Sequence, residues 1–363
     1  MYIFFIVILV VVLSLHVFCA GTFYYFFPSK ITKILFWAAP AAGALLISVW
    51  ATLGRRTESF SGGIVLTAAY YWLGILFIVF SVCFVLVCGV IVLSWFKITV
   101  PHWLGYAGLI VIVLFTVLAI IGGQMAPAIR KINLKAANLP VDKLTIVEVA
   151  DTHLGIGVSV KRVKKMVEEI NALNPDLILV AGDFYEGGSS KLRQQNIDAL
   201  KEMKAKYGIY GSMGNHEFYG GVADKTKFFE AAGVTPLRQQ TARPLPGVAI
   251  SGVDDFNSVH MSADAFSKFL NTLNPQDYNI LMSHEPRYFE TAQNKVNLML
   301  SGHTHRGQIF PFNLLVRLRY KHVYGLYKYG NTDYYVTSGA FYWGPPMRLF
   351  TKNEIAFITI EKE

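Results

Sequence analysis

Asp151 with His153, Asp183, Asn215 with His216, His284, and His303 with His305 lie far apart along the chain, yet each group closes a short aliphatic run. The runs include KLTIVEVAD at 143–151, DLILVAGD at 176–183 and GIYGSMGNH at 208–216, with further ones at 278–284 and 296–302. Runs of this kind read as buried strands. In open α/β folds ligands gather at the carboxyl ends of strands, so all five groups are expected at one edge of a sheet. In extended backbone, residues two apart share a face, which would aim Asp151 with His153, and His303 with His305, at the same place. Gly182, Gly214 and Gly302 stand immediately before Asp183, Asn215 and His303 and permit close backbone approach.

Imidazole nitrogens, carboxylate oxygens and one amide oxygen make a mixed donor set. Manganese, iron or zinc suits it better than magnesium or calcium, which prefer oxygen alone. Two divalent ions about 3.5 to 4 Å apart repel, and a carboxylate between them offsets the repulsion; Asp183 is the natural bridge. Such a pair would lower the pKa of a water towards neutrality for in-line attack on phosphorus, so no side-chain nucleophile is needed. Asn215 would add no negative charge against an anionic substrate. His216, next to it, is placed to protonate a leaving oxygen or to steady the transition state. Any one DxH, GD or HxH is more often a loop or cap feature, but five such groups in succession are not.

The elements that must position these residues alternate between strand and helix. Val160, Val163, Val167 and Ile170 give 159–173 the spacing of an amphipathic helix. Helices are also expected at 192–207 and 225–232, and further strands at 247–253, 333–338 and 354–360. The looser spacing of the later strands implies a second, mixed sheet. An α/β sandwich of two facing sheets accommodates both.

The chain has 363 residues and a net charge of +9, but before residue 126 the only formal charges are Lys30, Lys33, Arg55, Arg56, Glu58 and Lys97. Almost nothing there could face water as a soluble domain would. Four apolar runs, at 2–27, 31–53, 64–96 and 103–125, are long enough to span a bilayer. Residues 1–126 are therefore expected to be a four-helix transmembrane region, 127–142 a linker and 143–363 the domain carrying the site. The first run is a poor signal peptide, because no lysine or arginine precedes it and Phe18 stands beside Cys19. Arg55, Arg56, Arg130, Lys131 and Lys135 on one side outnumber Lys30, Lys33 and Lys97 on the other, which favours a cytoplasmic catalytic domain. His16 is expected to be a helix-packing residue, and the scarcity of other polar groups argues for an anchor rather than a transporter. The three cysteines, all within apolar runs, suggest no disulfide framework.

Taken together, DTH at 151–153, GD at 182–183, GNHE at 214–217, SHEP at 283–286 and GHTH at 302–305 resemble the calcineurin-like metallophosphoesterases over roughly 143–360. The resemblance implies a four-layer α/β sandwich and two-metal hydrolysis of phosphate esters. It also implies one ion held by Asp151, His153, Asp183 and His305, and a second by Asp183, Asn215, His284 and His303. Members acting on phosphoproteins carry GDxxDRG, whereas this chain has GDFYEGG. Glu186 could replace the acid that supports His216, but Gly187 cannot replace the arginine. The chain looks closer to the bacterial membrane-associated branch, with enzymes similar to UDP-diacylglucosamine pyrophosphatases and cell-envelope phosphodiesterases. That implies a multi-pass protein of the bacterial inner membrane whose partners are the bilayer and a phosphorylated lipid or other membrane-proximal phosphoester, with no nucleic acid. An aromatic and basic stretch, 310–328 with 341–346, is either a lipid-headgroup contact or ordinary strand core. The rival reading is a catalytically inactive phosphoesterase fold serving as a binding module at the membrane.

Overall fold

A computed structural model of the chain describes residues 2–53 and 60–363. It divides into a helical unit, which takes in the chain up to Gln124 with Ile309–Pro311 and Gly344–Leu349, and a larger α/β unit formed by the rest.

The helical unit contains α1 (Tyr2–Phe26), α2 (Lys30–Leu53), α3 (Phe60–Trp95) and α4 (Trp103–Gln124). Among the described residues, three helical segments are long and apolar enough to cross a membrane: Ile6–Phe26, Gly63–Trp95 and Trp103–Gln124. The span expected over 31–53 coincides with α2 but is not among these three, and Arg55 and Arg56 lie outside the described residues. Gly62 and Gly63, just before the third run, are helical within the first turn of α3. His16 is buried, donates from Nδ1 to the Val12 carbonyl at 2.7 Å and accepts the Trp72 indole N–H at 3.1 Å, so both ring nitrogens are used in packing. Ile309, Met347 and Leu349 join Ile78 and Ala119 in one apolar cluster of this unit.

The α/β unit follows the order β1 (Ala128–Ala136), β2 (Lys143–Val149), α5 (Val160–Ala172), β3 (Leu177–Ala181), α6 (Ser190–Leu200), β4 (Ile209–Ser212), α7 (Asn215–Tyr219), α8 (Val222–Ala231) and β5 (Thr235–Pro236). It continues with β6 (Gln240–Leu245), β7 (Val248–Val253), α9 (Ala263–Leu270), β8 (Tyr278–Ser283), α10 (Phe289–Ala292), β9 (Leu298–Ser301), α11 (Phe312–Arg319), β10 (Gly325–Tyr329), β11 (Thr332–Val336) and β12 (Glu354–Lys362). One six-stranded sheet has the order β1-β12-β2-β3-β4-β5, the other β10-β11-β9-β8-β7-β6. Both are mixed: β2, β3, β4 and β5 run parallel, as do β7, β8, β9 and β11, with antiparallel pairs at β12·β2, β6·β7 and β10·β11.

Alternation along the strands builds three cores. Leu144 and Ile146 of β2, Leu177 and Leu179 of β3, and Ile280 and Met282 of β8 point between the sheets. Val147, Val149, Ile178 and Val180 point the other way, onto Val163, Met166, Val167 and Ile170 of α5 and onto α6 and α8. Leu281 and Met299 meet Phe266 and Leu270 of α9 on the far face. A strand with apolar residues on both faces is what a sheet covered on both sides requires, and the layers run helix, sheet, sheet, helix.

Four local expectations need correction. Residues 128–136, read as linker, form β1 and pair in parallel with β12, because Ile132 and Leu134 alternate into the intersheet core between lysines and asparagine. The helix expected over 192–207 starts at Ser190, with Ser189 capping Leu192 N–H, and ends at Leu200. The strand expected to run to His216 stops at Ser212, and Asn215 opens α7. The stretch 312–319, where no helix was expected, is α11.

Candidate metal centre

The loops that follow β2, β3, β4, β8 and β9 converge at one edge, and they do so on unusual backbone. Asp151, His153, Asp183, His303 and His305 all have φ between +43° and +71°, a left-handed conformation uncommon outside glycine. The expectation that Asp151 with His153, and His303 with His305, share a face through extended backbone is therefore wrong in mechanism: each pair turns inward through a left-handed kink. Non-glycine residues hold such conformations only where their surroundings over-determine them. The Asp151 carboxylate, fully buried, accepts the His303 N–H at 3.0 Å. The Asp183 carboxylate accepts the His216 N–H at 2.9 Å.

The glycines are needed for proximity. A Cβ on Gly214 would overlap the Asp183 carboxylate, and one on Gly302 the Asp151 carboxylate. At Gly182, where φ is +82°, a Cβ would also stand 2.7 Å from the His284 ring.

Hydrogen bonds behind the site fix which nitrogen of each histidine looks into it. His284 donates from Nδ1 to the Ala181 carbonyl at 2.8 Å, leaving Nε2 inward, 3.0 Å from Asp183 Oδ2 but without hydrogen-bond alignment. His153 donates from Nδ1 to Glu186 Oε1 at 2.6 Å, and its Nε2 lies 3.0 Å from Nε2 of His305. The Tyr320 hydroxyl must donate to Glu285 Oε1 at 2.7 Å, since a carboxylate only accepts, so its oxygen takes the proton of His303 Nε2 at 2.9 Å. That leaves His303 Nδ1 as a lone pair, 3.0 Å from Asn215 Oδ1. Asp151, His153 and His305 form one cluster, and Asp183, His284 and His303 another, each with its ligand atoms within 4.8 Å of one another. The His303 Nδ1 lone pair facing the Asn215 amide oxygen is repulsive unless a cation lies between them, so the donor set fits metal ions.

Charge follows the same plan. Burial and the charge on His284 push His303 down to about 3, so it is neutral. Burial would lower His284 too, but the charges of Asp183 and Asp151 outweigh it and hold its pKa well above the ordinary value. Burial would raise Glu186, yet the hydrogen bonds and charges of His153 and His216 hold it at about 2. Its Oε1 lies 2.6 Å from His153 Nδ1 and 2.7 Å from His216 Nδ1. Exposed rings of Tyr219 and Trp343 flank His216, with centroids 5.0 and 5.7 Å away.

Several residues here escaped sequence reading. Glu217, fully buried, accepts the N–H groups of Asp183, Phe184 and Gly214 at 2.8 to 2.9 Å and of Tyr185 at 3.3 Å, tying two ligand loops together. It stood in plain view within GNHE. Lys225, buried over the Tyr185 ring, donates to the Glu186 carbonyl at 2.5 Å and clamps the GDFYEGG loop. Gly187 has φ +142°, where a side chain would be strained. Tyr320 and Glu285 gave no signal of their contact, because only the fold brings them to His303.

The sequence matches the family described as calcineurin-like phosphoesterase over residues 144–307. An uncharacterized metallophosphoesterase of Helicobacter pylori is 34% identical over 223 residues, which is 60% of this chain and 60% of that one. One of Campylobacter jejuni is 31% identical over 260 residues, 70% of this chain and 68% of that one. A transmembrane protein with metallophosphoesterase domain from Danio rerio is 30% identical over 273 residues, 70% of this chain and 62% of that one.

Proposed function

The chain belongs to the calcineurin-like metallophosphoesterases, and on that premise we propose that it is a membrane-anchored, dinuclear metal-dependent hydrolase of phosphodiester, phosphomonoester or pyrophosphate bonds. The observation that carries the reading is the position of Asp183. Its Oδ2 lies 3.0 Å from His284 Nε2 and 3.8 Å from His153 Nε2, between the two histidine clusters. Asp151, His153, Asp183 and His305 would hold one ion, and Asp183, Asn215, His284 and His303 the other. Manganese, iron and zinc suit this donor set. When bound, the ions would supply positive charge for the phosphoryl oxygens and a lowered pKa for the attacking water.

The chain's own groups do the rest. Glu186 holds His216 through Nδ1 and so presents Nε2 to the site, where it can give a proton to the leaving oxygen. Tyr219 and Trp343 wall that side with apolar surface. No arginine stands at 187 to grip a protein-borne phosphate, and the three membrane-length apolar segments among the described residues favour a lipid-linked or membrane-proximal phosphoester, processed by a cytoplasmic catalytic unit.

Purified full-length protein, loaded in turn with manganese, zinc and iron, should hydrolyse bis(p-nitrophenyl) phosphate and deplete particular phospholipids from a cell lipid extract. Asp183→Asn should abolish both. A metal-loaded wild type that hydrolyses neither would replace this reading with that of an inactive binding module.

A further inference from the structure

We propose that α11 is an interfacial helix that seats on an anionic lipid surface. The proposal rests on the membrane-anchored reading above. In a water-soluble domain a surface helix turns its apolar side inward, and α11 does the reverse. Phe312, Leu314, Leu315 and Leu318 are exposed, Leu318 to 85%, and no residue of the helix is fully buried. The positions turned towards the domain are Asn313, Val316 and Tyr320, at i, i+3 and i+7. Asn313 is pressed onto Gly307, where a Cβ would overlap its backbone. An inverted helix of this kind leaves an apolar patch that water does not favour.

The charges on the exposed side identify the occupant. Arg317 and Arg319 lie among the leucines, and Lys321 follows. Apolar residues that enter the acyl boundary, with basic residues at headgroup level, are the composition of a helix lying in a membrane interface. Continuity of the chain agrees. Ile309 packs in the helical unit with Ala119, five residues before the end of α4 at Gln124, which is about 8 Å of helix. Phe312 follows three residues later, within about 10 Å of extended chain. The helix therefore begins three residues along the chain from a segment that packs within the apolar helical unit. Tyr320 comes directly after it and bonds His303, so a seated α11 would hold a site residue at the same surface.

The test uses the full chain in nanodiscs, with Cys19, Cys83 and Cys88 replaced and a nitroxide placed at Leu318→Cys or, as a control, at Lys164→Cys on the exposed face of α5. In discs containing phosphatidylglycerol, the ratio of oxygen to nickel-chelate accessibility should be severalfold higher at 318 than at 164, and R317Q with R319Q should lower it. Equal water exposure at the two positions overturns the proposal. Shielding at 318 that comes with dipolar broadening, and disappears on dilution with unlabelled chain, overturns it in favour of a second copy of the chain. Should the cysteine-free background fail to fold, hydrogen exchange of 312–319 in the unaltered chain gives the second reading. It should be slower in anionic than in zwitterionic discs, and equal rates overturn the anionic seat. Neither measurement depends on metal or hydrolysis, so failure here is distinguishable from failure of the hydrolase reading. Release of the chain from membranes by alkaline carbonate would separately overturn the anchored reading.

Discussion

Nδ1 of His216 lies 2.7 Å from Oε1 of Glu186, the same oxygen that receives Nδ1 of His153 at 2.6 Å. One carboxylate therefore orients both a candidate metal ligand and the candidate proton donor. Glu186→Gln keeps the shape but not the charge. It should lower kcat or metal affinity by about 10- to 100-fold, the usual effect of removing such a partner. Kinetics paired with elemental analysis separates the two losses, and wild-type values in both would contradict the assigned role.

The same carboxylate makes an acid-stability prediction. Its folded pKa, about 2, is depressed below the ordinary 4.5. The stabilisation is thus fully present above 4.5 and is lost as pH falls towards 2. In chelated protein the melting temperature should drop through that window, and Glu186→Gln should flatten that part of the curve. Parallel acid profiles for the two proteins would exclude the linkage.

Tyr320→Phe removes the acceptor that holds the proton of His303 on Nε2, and leaves Glu285 with one donor fewer. With the fold intact by circular dichroism, affinity at the second ion should fall by about tenfold or more. Titration calorimetry reads this directly, and unchanged affinity for both ions would show that the hydroxyl is only a packing neighbour.

Glu217→Ala would strand four buried backbone N–H groups, those of Asp183, Phe184, Tyr185 and Gly214. At roughly 1 kcal/mol or more for each unsatisfied group, the loss is on the order of 4 kcal/mol. Denaturant unfolding of the α/β unit should report it, and a change under about 1 kcal/mol would mean that water takes Glu217's place.

Metal loading should release protons. Asp183 and Asp151 hold the pKa of His284 well up, and Glu186, Asp183 and Asp151 outweigh burial to raise that of His153. Both rings must be neutral to coordinate. Affinity should therefore weaken as pH falls through these raised pKa values, and the calorimetric heat at neutral pH should change with the ionisation enthalpy of the buffer. A buffer-independent heat would show that neither ring carries the proton.

Much of the fold was open to sequence reading because period and composition are local. Aliphatic runs marked β2, β3, β8 and β9, and the 3.6-residue spacing marked α5. Other elements were hidden. β1 alternates apolar residues with lysine and arginine and reads as a polar linker until β12, more than two hundred residues later, supplies its partner. α11 was illegible for the opposite reason, since its apolar residues face outward and mimic no soluble helix.

By itself, the sequence determined the chemistry of the candidate site: its donor types, their order, and the glycines beside them, because ligand character belongs to side chains and strand ends are marked by composition. Tertiary structure alone decided how those donors are aimed. Left-handed backbone turns Asp151, His153, Asp183, His303 and His305 inward, and Glu186, Glu217 and Tyr320 reach across from other loops to fix carboxylates and tautomers. Direction and protonation depend on neighbours distant in sequence, and no local pattern encodes which of them will meet.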